Sequence, residues 1–174
     1  TEPAALGAAT IAWNAQDLAG AKQHYATLES TCVLQENALE ARIGLMRCHY
    51  LLDETEQALA YANVVIDDSQ TPEDIAATAR YWRGKIKFEA KDYAAAAPDL
   101  EKVATLGGTR GAESQFMLCQ IAFASGDYAA TEQALFEFIQ AYANYDAWKH
   151  QAFLLLVDTY IALEDWFQAR ATAE

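Results

Sequence analysis

Five short turns recur along this chain at nearly constant spacing, and no other feature constrains its fold as strongly. They read Gln16-Asp17-Leu18, Glu54-Thr55, Lys91-Asp92-Tyr93, Gly126-Asp127-Tyr128 and Glu164-Asp165-Trp166. Three residues beyond each comes a small side chain: Ala21, Ala58, Ala96, Thr131 and Ala169, at intervals of 37, 38, 35 and 38 residues. Four positions later stand Tyr25, Ala62, Leu100 and Leu135, and three further on Leu28, Val65, Val103 and Phe138. Steps of four and three place these residues on one side of a helix, so the spacing predicts an amphipathic helix after each turn. A second helix precedes each turn. Ala41 to Tyr50 matches Ala79 to Phe88 column by column, and Ser114 to Phe123 and Ala152 to Ile161 occupy the same columns. Polar or helix-breaking segments at 67–72, 107–111 and 144–146 separate the units. One helix pair cannot cover its own apolar stripe, so successive pairs are expected to stack. Asp17, Asp92, Asp127 and Asp165 suit the N-cap positions of the second helices.

With 174 residues, 53% hydrophobic and only eight Gly and three Pro, the chain has enough apolar surface to offset chain entropy. Its net charge of −13 argues against nucleic acid as a partner, because that binding neutralises phosphates with Lys and Arg. The longest apolar run, Ala152 to Val157, is six residues against the roughly 20 needed to span a bilayer, so no direct membrane insertion is expected. The chain opens at Thr1 without Met and stops at Glu174 inside a helical pattern, which reads as a piece of a longer protein. Self-association through the cut end is then an option. Cys32, Cys48 and Cys119 lack CxxC spacing and read as free thiols, with a Cys32–Cys48 bridge left open.

No phosphate loop, HExxH, GxSxG or dinucleotide-binding fingerprint occurs. His24, His49 and His150 fall in different units, and the acidic pairs Asp53-Glu54 and Asp67-Asp68 sit in loops where solvation explains them. No catalytic residue, metal ligand or cofactor is expected, and an enzyme is not.

The units resemble tetratricopeptide repeats. Gly84 followed by Lys91-Asp92-Tyr93 and Ala96 carries the likeness, as do Gly126-Asp127-Tyr128 with Leu135 and Phe138, and Leu156, Tyr160 and Ala169. The spacing is longer than the family's 34 residues, and the family's terminal Pro is represented only by Pro72. The resemblance covers essentially the whole chain. It implies an all-α fold, a right-handed superhelical solenoid of about five antiparallel helix pairs with the last truncated. The single repeat domain spans 1–174, with units near 3–36, 37–72, 75–108, 112–145 and 149–174. Alanine-rich arrays with Gly-Asp-Tyr turns look like bacterial envelope repeat proteins, although cytoplasmic relatives exist.

Five of the twelve Lys and Arg residues lie in the stretch RYWRGKIKFEAK, residues 80–91. Arg80, Arg83, Lys87 and Lys91 form one stripe and are expected to pair with acidic neighbours between units, while Trp82 is expected mainly in the core. In this family the first helices line a concave face that commonly holds a peptide or helix. The resemblance assigns that groove to Trp13, Asn14, Arg47, Tyr50, Tyr81, Lys85, Phe88, Phe116, Gln120 and Phe123. Such a surface suits a protein or peptide partner with acidic residues, because Arg47 and Lys85 offer charge-assisted bonds and the rings offer buried area. Pro98 is expected to kink α-helix formation or delay its start in the third unit. The leading expectation is a non-enzymatic protein-interaction module. The alternative is a structural scaffold segment of a larger repeat array in a bacterial envelope assembly.

Overall fold

The computed structural model describes all 174 residues as ten α-helices without a strand. In order they are α1 (Glu2–Asn14), α2 (Leu18–Thr31), α3 (Gln35–Leu51), α4 (Thr55–Asp67), α5 (Glu73–Glu89), α6 (Tyr93–Ala104), α7 (Gly108–Ala124), α8 (Tyr128–Ala141), α9 (Asp146–Ala162) and α10 (Trp166–Ala173). Two compact units divide the chain, Thr1–Ala90 with α1 to α5 and Lys91–Glu174 with α6 to α10.

The recurring turns share one geometry. Two residues before each second helix the backbone enters the left-handed region: Gln16 (φ 62°), Asp53 (60°), Lys91 (61°), Gly126 (80°) and Glu164 (59°). Only Gly126 adopts it without crowding between Cβ and the backbone. The next residue caps the helix. Asp17, Asp92, Asp127 and Asp165 accept hydrogen bonds from the backbone N–H of Gly20, Ala95, Ala130 and Gln168, satisfying one donor in each open first turn. Glu54 holds this place before α4 but makes no side-chain cap. Its carboxylate instead accepts from Lys22 Nζ at 2.7 and 2.8 Å and meets His49 Nδ1 at 2.5 Å, linking α2, α3 and α4.

In the first unit each helix packs on the next, and α3 also touches α1 and α5. One core cluster contains Ala9, Ala21, Tyr25, Leu45 and Cys48; another contains Ile43, Met46, Ala62, Val65 and Ala79. The small residues Ala21 and Ala58 are fully buried, which lets paired helices approach closely. Gly44 is needed at its position, since a Cβ there would lie 2.5 Å from the Tyr25 ring.

In the second unit α6 packs on α7, α7 on α8, α8 on α9 and α9 on α10, with α7 also touching α9. Its core holds Ala112, Phe116, Cys119, Leu135, Phe138, Ala152, Leu156, Tyr160 and Ala169. Thr131 fills the small column and returns its hydroxyl to the Asp127 carbonyl at 2.8 Å, so its burial leaves no donor unpaired.

Of the two outcomes expected at Pro98, a kink or a late start, the late start does not occur: α6 begins at Tyr93, directly after its cap, and continues through Pro98. Pro98 is the sixth residue of the helix, where the missing N–H removes a single bond to the Ala94 carbonyl, and the Asp92 cap anchors the turn before it. All three cysteines are free. Burial pushes the Cys119 thiol up to about 12, which makes it unreactive. No helix is long and apolar enough to cross a membrane.

Candidate functional site

The residues assigned to the binding face come from the same columns of successive first helices, spaced four and three apart. In the first unit they are Arg47 and Tyr50 on α3, then Tyr81, Lys85 and Phe88 on α5, with Trp13 and Asn14 at the end of α1. Because α3 lies beside both α1 and α5, these columns become neighbours in space.

The Arg47 guanidinium carbon sits 4.1 Å from the centre of the Trp13 ring, a stacked cation–π contact. Its Nε is buried with no hydrogen-bond partner, and the side chain forms no ion pair. Other arginines are answered by acids: Arg42 by Glu29 at 3.3 Å, Arg80 by Glu73 at 2.6 Å and Arg170 by Glu174 at 2.9 Å. Asn14, the last residue of α1, is exposed.

One turn along, the Tyr50 ring lies 4.8 Å from Trp82, which in turn meets Tyr81 edge-on at 5.3 Å. Lys85 Nζ reaches over these rings, 5.7 Å from the centre of Tyr81 and 6.0 Å from that of Trp82, and donates to the Tyr81 hydroxyl at 3.4 Å. The Tyr50 hydroxyl donates to Glu89 at 2.7 Å. Burial, aided by that bond, pushes Tyr50 up to about 12, so it remains a neutral donor throughout ordinary pH. Tyr81 is itself buried, Phe88 half-buried. Tyr81 therefore shapes this surface from beneath.

Of the basic stripe, Arg80 pairs with Glu73 on its own helix and Arg83 donates to Asn63 of α4 at 2.8 Å, so neither contact is the expected pairing with an acid of a neighbouring unit. Trp82 packs on the core cluster around Met46 and Ala79, yet also braces Tyr50. Its place beside the candidate column, and that of Glu89, were not visible as site features. The only sequence signal for Glu89 is its place four residues after Lys85.

The second unit presents its own part of the column. Phe116 is buried between Phe138 at 5.7 Å and Trp148 at 5.6 Å, so it belongs to the core. Gln120 and Phe123 are half-buried, the latter against Tyr128 at 5.4 Å. The same column continues on α9 as Leu154, Asp158 and Ile161. In the aligned sequence its middle position is Arg47 and Lys85 in the first unit, and Gln120 and Asp158 in the second. No group of three His, Cys, Asp or Glu side chains is placed to hold a metal ion.

No protein-family model matches the chain, and no curated protein matches its sequence. Among solved structures it is similar to the crystal structure of MamA protein, with a TM-score of 0.78 and 16% identity over 98% of this chain and 87% of that one. At that identity the likeness speaks for the fold alone. The chain has an all-helical, tetratricopeptide-repeat-like fold of consecutively packed helix pairs.

Proposed function

We propose that this chain is a protein-interaction module, without catalytic activity, whose first-helix columns hold a peptide or helix bearing acidic and aromatic side chains. The observation that carries this reading is Arg47. In a chain of net charge −13 its guanidinium is stacked on Trp13, partly desolvated and without a carboxylate. A partner's carboxylate would answer it with a charge-assisted hydrogen bond, a class worth about 1.5–3 kcal/mol. The stack on Trp13 pre-orients the fork, so less side-chain entropy is lost on binding. Lys85, held over Tyr81 and Trp82, supplies a second positive point on the next helix.

Peptides selected from a random display library against the wild-type chain test this reading. Binders are expected to carry Asp or Glu beside an aromatic residue. They should weaken by about tenfold or more on the Arg47→Glu/Lys85→Glu variant, whose far-ultraviolet circular dichroism should be unchanged. Selected peptides that bind both proteins equally would refute the groove.

A second reading, a scaffold segment that stacks on further helices, has its own support. In the column of Ile43, Tyr81 and Phe116, which are 7%, 5% and 5% exposed, Leu154 is 60% exposed. Trp166 and Phe167 nearby in sequence are exposed as well.

A further inference from the structure

A cavity of about 450 Å³ opens in the first unit where α3 and α5 end, lined by Tyr50, Leu51, Asp53, Thr55, Ile86, Glu89 and Ala90. Its lining has two characters. Leu51, Ile86, Ala90 and the Tyr50 ring give it apolar walls, while Asp53 and Glu89 bring two carboxylates and no cationic residue lines it. The carboxyl-terminal ends of α3 and α5 add the negative poles of two helix dipoles. The positive contributions are fewer: the start of α4 at Thr55, and the Lys85 ammonium, which acts on Tyr50 without lining the cavity. The potential inside is therefore negative, in a concavity whose walls suit a hydrocarbon chain.

We propose that this cavity receives the side chain of a lysine from a partner segment, its methylenes against Leu51 and Ile86 and its ammonium between Asp53 and Glu89. Lysine fits better than arginine. The Glu89 carboxylate already accepts the Tyr50 hydroxyl at 2.7 Å, so a guanidinium cannot take both of its oxygens as an unencumbered fork. An ammonium needs no planar match and can direct its three donors to two carboxylates and a helix-end carbonyl. Tyr50 keeps Glu89 in place, and its high pKa keeps it a donor while doing so. The site lies beside the binding column, since Tyr50 belongs to both, and a partner segment would then present a basic residue next to its acidic ones. The proposal rests on the interaction reading only for the origin of the lysine.

A small-molecule probe separates the two ideas. The complete 174-residue chain, labelled with nitrogen-15, is titrated with n-butylammonium, with n-butanol as the uncharged control and n-butylguanidinium as the arginine analogue. Saturable shifts are expected for the amides of Leu51, Asp53, Glu89 and Ala90 with n-butylammonium, and weaker binding by about tenfold in Asp53→Asn/Glu89→Gln. Both substitutions preserve local structure, because Asn tolerates the positive φ at 53 and Gln still accepts from Tyr50. Added salt should weaken the interaction in the wild type. No saturable shift, equal shifts with n-butanol, equal affinity in the double variant, or tighter binding of n-butylguanidinium would each overturn the lysine assignment. None of these outcomes bears on Arg47, which does not line the cavity.

Discussion

Single residues decide two properties of the first unit. Gly44 lies in the middle of α3, where Ala would ordinarily gain about 1 kcal/mol in helix propensity. Here an added Cβ would stand 2.5–2.6 Å from the ring of Tyr25, which is itself buried in the core. Overpacking wins: Gly44→Ala should destabilise the chain by about 1–3 kcal/mol in urea unfolding, and a stabilised variant would contradict the close packing. Glu54 sets a pH dependence. Hydrogen bonds from Lys22 and then His49 hold its carboxyl below the ordinary 4.5. A carboxyl held low adds stability that is complete above that value and lost as pH falls through the lower folded one. Glu54→Gln should therefore cost stability near neutral pH and nothing once acid has protonated both states. A constant difference across that range would show that the network does not act through charge. None of this was legible in the sequence, where Glu54 reads as one more acid in a turn. Its partner Lys22 lies 32 residues away, and only folding brings it near.

Elements were the most legible level. The period of the small column fixed where each second helix packs, and Ala21, Ala58, Ala96 and Thr131 are all fully buried. The aspartate caps were equally readable, because a short acceptor just before an apolar stripe is well placed to accept from a first-turn donor. Asp127→Ala should cost about 0.5–2 kcal/mol, measured by thermal or urea unfolding, with Asp127→Asn retaining most of the stability. An alanine variant as stable as wild type would mean that water satisfies the Ala130 N–H equally well. What the columns left open was which side of a first helix faces a neighbour. Tyr81 and Phe116 share their column with exposed Leu154, so the column alone does not set burial. The packing of Trp148 against Phe116 does so within the second unit. Likewise the Arg47–Trp13 stack depends on the axial offset between α1 and α3, which repeat spacing does not specify.

For the whole molecule, the repeats and their likeness to the MamA protein structure establish the class of fold, while function depends on which surfaces remain unanswered. Two stand out, of opposite chemistry: the stacked guanidinium on the first-helix column and the exposed apolar residues of α9 and α10. If the scaffold reading holds, Leu154→Lys should reduce concentration-dependent association in sedimentation equilibrium without altering helicity. Unchanged association would remove that face from consideration. The interaction reading is tested most directly by the nuclear magnetic resonance shift map of the chain bound to a selected acidic-aromatic peptide. The account predicts that the Trp13 indole N–H, the Arg47 Nε–H and the amides around Tyr50 and Lys85 move together and saturate at one affinity. Shifts confined to the second helices, or to α9 and α10, would contradict it.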